Sequence, residues 1–367
     1  MSSDPVREGD PALKSRFFSR RCLAVFIVIA MTAVTGYVLI NDSDSSVAEA
    51  ETSGSCGDNL TWSFDPGTGT LTISGTGEMY DYEPMNAPWA GKDVKSVTMN
   101  DGITHIGDFS FFFCTSLKSI SISSTVESIG QLAFLGCTGL TSIDVEEGNT
   151  AYSSVNGVLY NKDRTEICQY PAGKTDTVYT IPDSVTTIGD NAFNRCTSLT
   201  SIEVDGDNPA FSSSDGYLLN KAGDELLVCP AGLESATVGN GITKVSEGAF
   251  SGDKLKEVVF SGTSVSVTAC AFKNCASLNK IVIESPDVVF EENSITFTDD
   301  EKHTLHVVAP KGYQIPNNAM SANVDIVYEG QSSDPDNEGS RTLLGIAIAI
   351  VILLALACFV PQITRRP

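Results

Sequence analysis

Histidine is almost missing from this sequence: His105, His303 and His306 are the only three in 367 residues. A general base needs a positioned partner within hydrogen-bond reach, and none of the three stands in a recognisable catalytic pattern. A Gly-x-Ser-x-Gly elbow is lacking as well, which removes the familiar hydrolase nucleophile. No Cys-x-x-Cys or Cys/His spacing suits zinc. The 31 glycines fall at turns and build no phosphate-cradling loop. The expectation is a chain that catalyses nothing and carries neither cofactor nor metal.

Positive charge is the next scarcity. Lys and Arg total 23 against 46 Asp and Glu, a formal net charge of −23. Eight basic and three acidic residues lie outside 23–340, so that region holds 15 basic and 43 acidic side chains, a charge of −28. A surface so acidic repels nucleic acid and anionic lipid headgroups. It attracts cations or a basic partner, or serves solubility alone.

Long uncharged runs are present, and they set the topology. Leu23–Ile40 and Leu343–Val360 are each 18 residues without a charge, close to the minimum that crosses about 30 Å of hydrocarbon. Lys14, Arg16, Arg20 and Arg21 precede the first, and Arg365 and Arg366 follow the second. The positive-inside bias therefore predicts two transmembrane helices with both chain ends in the cytoplasm and residues 41–340 outside the cell. The competing reading of the first run is a cleaved export signal ending at Ala48-Glu49-Ala50. Export of the central region is common to both.

Between these runs the chain repeats itself. Ile188–Val204 reads IGDNAFNRCTSLTSIEV, and Ile106–Ile122 and Ile129–Val145 match it position for position. Shorter or edited copies begin at Val245 and Val267. Ile106 and Ile129 are 23 residues apart, the length of one short solenoid coil. Within a copy, Leu199, Ile202 and Val204 alternate as a strand, and Ile188, Ala192, Phe193 and Cys196 fill the remaining interior. Cys114, Cys137, Cys196 and Cys275 share one repeat position, which predicts a packed small side chain rather than a bridge.

A longer period lies over the short one. Ile129 to Ile188 is 59 residues and Ile188 to Val245 is 57, because NTAYSSVNGVLYNK with ICQYPAG, and NPAFSSSDGYLLNK with LLVCPAG, are inserted. Each insert reads as three strands, the first two joined by Asn156-Gly157 or Asp215-Gly216. Leu60–Gly77 predicts a hairpin turning at Asp-Pro-Gly, and HTLHVVAPKGY and VDIVYEG predict two closing strands. The resulting domain order is cytoplasmic tail 1–22, membrane segment 23–40, linker 41–55, N-terminal β cap 56–102, solenoid 103–284, C-terminal β cap 285–329, linker 330–342, membrane segment 343–360 and tail 361–367.

The CGDNLTWSFDPGTGTLTISGTGEM opening, the IGxxAFxxCxxLxxIxI repeat and the GVLYNK/PAG insert, in that order over Gly54–Glu284, resemble the BspA-like leucine-rich-repeat family. The resemblance implies a β-rich solenoid, a right-handed stack of coils with β caps, displayed at the cell surface and commonly tied to adhesion or host interaction. It implies no conserved ligand. The outward strand positions predict one continuous ribbon, from Ser119, Ser121 and Ser123 through Asp144, Glu146, Glu203 and Asp205 to Glu257, Val259 and Ser261 and on to Lys280, Val282 and Glu284. Five of its acids, Asp144, Glu146, Glu203, Asp205 and Glu257, are the candidate contacts for an extracellular protein or glycan. A structural envelope component that self-associates is the alternative. Asp205-Gly206-Asp207-Asn208 reads as a turn in preference to a calcium loop. Asn41-Asp42-Ser43 and Asn59-Leu60-Thr61 match the N-glycosylation acceptor pattern.

Overall fold

The computed structural model describes residues 51–273, 275–296 and 302–329. Each coil lends a strand of about four residues to a long ladder and, in most coils, a two-residue strand to a short ladder on another side. Alternation dictates the long rungs: Ile120 and Ile122, Ile202, Val258 and Phe260, and Ile281 and Ile283 face the interior at 0–2% exposure. Neighbouring rungs pair in parallel and in register, as Ser119–Ile122 does with Ser142–Val145 and Glu257–Phe260 with Lys280–Ile283. Stacking is what makes each coil viable, because one coil alone leaves its apolar residues in water.

The long ladder is not continuous, which corrects the predicted ribbon. It divides into a six-stranded sheet ending at Ser142–Val145, a two-stranded sheet of Val178–Ile181 and Ser201–Val204, and a five-stranded sheet beginning at Ser235–Val238. The two breaks fall where the inserts enter. Tyr152–Val155 and Val158–Asn161 form an antiparallel hairpin, and Phe211–Ser214 and Tyr217–Asn220 form its twin. The hairpin turn takes the place of the next rung: Ile143 N–H donates to Gly157 O at 2.9 Å and Ile202 N–H to Gly216 O at 2.8 Å. The third insert strand, Glu166–Gln169 or Glu225–Val228, returns to the short ladder beside Thr187–Ile188 or Lys244–Val245. Ile129, Val145, Ile188 and Val204 are only half-buried in consequence. Their counterparts Ile106, Ile122, Val245 and Phe260 are fully buried.

The turns demand their residues. Asn156 and Gly157 have φ of 51° and 79°, and Asp215 and Gly216 have 54° and 80°, the left-handed pair of a type I′ turn. A Cβ on Gly157 would stand 2.7 Å from Ser142 Oγ, so glycine also admits the hairpin against the rung. In the Ala-Phe loop, left-handed backbone recurs three and seven residues after the leading Ile, at Phe109 and Phe113, Leu132 and Gly136, and Asn191 and Arg195.

Aromatic rings stack through the interior of that loop. Phe111 lies 5.7 Å from Phe134 at an interplanar angle of 3°, and Phe250 lies 4.7 Å from Phe272 at 12°. Tyr170, from the first insert, fills the same place against Phe193 at 5.6 Å. The recurring cysteine does more than pack. Cys137 Sγ–H donates to Phe111 O at 3.0 Å and Cys275 Sγ–H to Phe250 O at 3.1 Å, tying each coil to the one before.

At the N-terminal end, Ser53–Gly57, Leu60–Asp65 and Thr70–Gly75 form an antiparallel meander whose last strand starts the parallel ladder. Trp89, fully buried, donates its indole N–H to Ser110 O at 2.6 Å and packs against Trp62, Tyr82 and Phe111. His303–Val308 and Val324–Glu329 continue the long ladder in parallel at the other end. Among the described residues no helix is long and apolar enough to cross a membrane. The two predicted membrane segments, 23–40 and 343–360, lie outside the described residues, as do the tails, the linker 330–342 and residues 41–50.

Candidate functional site

The outward side of the long ladder has three chemically distinct parts. In the first sheet it carries hydroxyls: Thr70, Ser96, Ser119 and Ser142 stand in one register column, with Thr70 Oγ1 and Ser96 Oγ 3.2 Å apart. Ser63, Thr72 and Thr98 stand in a second. This hydroxyl face reaches into the cap, which the repeat alone did not reveal. Ser123, predicted to face outward, is instead buried at 1% exposure and donates to Asp101 at 3.0 Å. In the last sheet, Glu257 and Lys280 are in register and joined by a 2.9 Å salt bridge, beside a column of Val259, Val282 and Val308.

The acids lie at the breaks. Asp144 and Glu146 flank the first hairpin, and Glu203 and Asp205 flank the second, all four exposed. The two stations are built alike, as Ser-Ile-Asp-Val-Glu from Ser142 and Ser-Ile-Glu-Val-Asp from Ser201. Val145 N–H donates to Ser154 Oγ at 3.0 Å in one, and Val204 N–H to Ser213 Oγ at 3.1 Å in the other. Ser142 holds the Asp144 carboxylate at 2.9 Å, and Glu146 accepts from Ser124 N–H at 3.1 Å. Among the described residues no basic side chain pairs with any of the four. The fifth predicted contact, Glu257, is different: half-buried and neutralised by Lys280. Thus two pairs of predicted residues each come together, and Glu257 stands apart from both.

The Asp205–Asn208 stretch is a turn. Asn208 is fully buried, its Nδ2 donates to Pro182 O and Val185 O, and its Oδ1 accepts from Ala210 and Phe211 N–H. That occupies both lone pairs a cation would need.

One arrangement was not visible in the sequence. His105 Nδ1 lies 2.7 Å from Ser128 Oγ and its Nε2 lies 3.2 Å from Asp81 Oδ1. Asp108 N–H and then His105 hold Asp81 below the usual carboxylate range. The residue types are those of a nucleophile relay, but His105 and Ser128 are in-register rungs of the short ladder and Asp81 lies just past the strand Gly77–Glu78. The later stretch of the same ladder places Lys244 beside Glu225 at 2.6 Å, with Ser266 in register. Both are cross-coil polar ties.

All eight described cysteines are free thiols, seven of them buried. Burial pushes the thiols of Cys114 and Cys275 up to about 12, and raises those of Cys137 and Cys196 well above the ordinary thiol range. Since the thiolate is the reactive form, a soluble alkylating reagent at pH 8 is expected to label none of the eight until the protein is unfolded. Peptide mapping checks this, and rapid labelling of Cys137 in the folded protein would contradict its placement.

With this geometry in hand, six copies of the BspA type Leucine rich repeat region match the chain over residues 88–167, 174–294 and 229–324. The chain belongs to the BspA-type leucine-rich-repeat family. The chain also aligns with solved bacterial proteins at low identity. A leucine-rich repeat protein from Eubacterium ventriosum is 21% identical, with 75% of this chain and 84% of that one covered and a TM-score of 0.43. The pneumococcal vaccine antigen PcpA is 17% identical, over 74% of this chain and 98% of that one, with a TM-score of 0.37. A leucine rich cell surface protein from Faecalibacterium prausnitzii is 18% identical, over 80% and 97%, with a TM-score of 0.29. No curated protein matches. The BspA-type repeat thus accounts for the coils.

Proposed function

We propose that this BspA-type protein is anchored in the cell membrane by segments 23–40 and 343–360, displays residues 41–340 outside the cell, and binds an extracellular protein or glycan through the outward side of its long ladder. Asp144, Glu146, Glu203 and Asp205 are the contacts. The observation that carries the reading is the duplication of one uncompensated acidic strand at two equivalent breaks. Two matched stations on a rigid stack engage a partner with basic groups at two points, and the second contact then forms at high effective concentration. Electrostatic attraction of this kind sets on-rate and specificity and weakens with salt.

The test is a binding screen of residues 41–340 against matrix proteins, glycans and the protein itself. A saturable, salt-sensitive foreign ligand is expected, lost in D144K/E203K/D205K and retained in E257K, because Glu257 already has its cation. Self-association alone would transfer the function to the alternative, a structural component of the envelope. Among the described residues Val324–Glu329 is the last strand of its sheet, with Val327 45% exposed, and this is the feature that favours that alternative.

A further inference from the structure

We infer that Asn59 is an N-glycosylation site whose glycan shields the N-terminal edge of the solenoid. The inference rests on the proposed export of residues 41–340 and names a modification of that exported region. The chain holds two Asn-x-Ser/Thr acceptors, and Asn59-Leu60-Thr61 is the one within the described residues. Its placement suits the chemistry. Asn59 stands in the two-residue turn between the strands Ser53–Gly57 and Leu60–Asp65, exposed, with its backbone carbonyl pinned by Thr76 N–H at 3.2 Å. Leu60 points into the core at 1% exposure while Thr61 returns to the surface. The two side chains an oligosaccharyltransferase must read are therefore outside, and a bulky sugar on Asn59 displaces nothing from the core.

Location gives the glycan a purpose. Among the described residues Ser53–Gly57 is the terminal strand of its sheet, paired with Leu60–Asp65; Cys56 O also accepts from Tyr80 N–H at 2.8 Å, so the stretch left exposed is Ser53, Gly54 and Ser55. An unguarded edge strand is a template for pairing with another chain. A glycan on the turn that follows Gly57 adds bulk at the end of that strand. In the transfer step the Asn59 amide nitrogen bonds to the anomeric carbon of a lipid-diphosphate-linked oligosaccharide. The anomeric C–O bond to phosphate breaks, the lipid diphosphate leaves with the bonding pair, and the amide loses one proton.

The experiment expresses the full chain, in an N41Q background, in a eukaryotic host whose secretory membrane carries an oligosaccharyltransferase. A membrane-impermeant amine reagent on intact cells reports export, and mass spectrometry reports the peptide containing Asn59. Export with a mass ladder on that peptide is expected, collapsed by peptide-N-glycosidase, retained in T61S and lost in N59Q and T61A. Surface-labelled chain with a bare Asn59 would overturn the glycan while leaving the proposed topology standing. Chain that is neither labelled nor glycosylated would overturn both.

Discussion

Replacing Phe193 by Ala is expected to destabilise the protein by about 3–5 kcal/mol, the range for truncating a buried aromatic side chain. Phe193 is 5% exposed and packs against Tyr170 at 5.6 Å and Tyr179 at 5.9 Å. Tyr170 belongs to the insert and Tyr179 to the rung Val178–Ile181 that follows it, so the substitution opens a cavity at the joint between insert and repeat. Tyr179 is itself held rigidly, its hydroxyl 2.5 Å from that of Tyr160, which limits how far the surroundings can collapse into the space. Lack of collapse puts the cost toward the upper end of the range. In a stacked protein a local defect can uncouple neighbouring coils instead of shifting one global transition. Hydrogen exchange resolved along the chain is therefore the appropriate measurement, together with a denaturant midpoint. Protection is expected to fall first in Glu166–Ile181 and Thr187–Val204. Unchanged exchange there and an unchanged midpoint would refute the burial of Phe193.

The coil and its interior were readable in the sequence because each repeat position imposes one environment: Ala192, Phe193, Cys196, Leu199 and Ile202 are all buried as the alternation requires. The inserts were readable because turn chemistry is local, and Asn156-Gly157 and Asp215-Gly216 close their hairpins as predicted. The breaks in the ladder were not. Ser142 and Ser201 carry the same outward pattern as Ser119, and nothing within a strand states which segment will lie along its edge. Only the glycines of the hairpin turns, opposite Ser142 and Ser201, mark the place where a rung is replaced. Ser123 was misplaced for a related reason: it sits just past its strand, where alternation no longer applies, and Asp101 of the preceding coil claims its hydroxyl. The acidic stations were named residue by residue, but their division into two matched pairs came from the breaks. The hydroxyl face extending into the cap carried little repeat signal: Ser96 stands one 23-residue period before Ser119 but its segment lacks the Ile-Gly and Ala-Phe marks of the repeat, and Ser63 and Thr72 are joined by a hairpin.

Replacing Asn208 by Asp is expected to cost at least about 3 kcal/mol despite the near-identical shape, because a buried polar group left without a partner costs about 1–3 kcal/mol and several are affected at once. The Asn208 amide nitrogen donates to Pro182 O at 2.7 Å and Val185 O at 2.8 Å, and its oxygen accepts from Ala210 N–H at 2.9 Å and Phe211 N–H at 2.8 Å. A carboxylate turns the two donor bonds into a repulsion between its charge and two carbonyls, in a site with 0% exposure, which drives the side chain from its place and takes the two acceptor bonds with it. Asn149 makes the same four bonds, to Ser123 O, Val126 O and the Ala151 and Tyr152 amides. In both places the asparagine fastens the start of an insert to the corner of the coil below, so it is the bond set that lets a hairpin be spliced into the stack without unstacking it. Asn208→Asp is expected to release the Ala210 and Phe211 amides to exchange and to leave the Asn149 joint protected. The charge also predicts a pH dependence with a definite sign. The site raises the new carboxyl above its unfolded value, so the variant regains stability as pH falls below that raised value, whereas the parent does not. A variant as stable as the parent at neutral pH, with Ala210 still protected, would show that the asparagine is incidental to the splice.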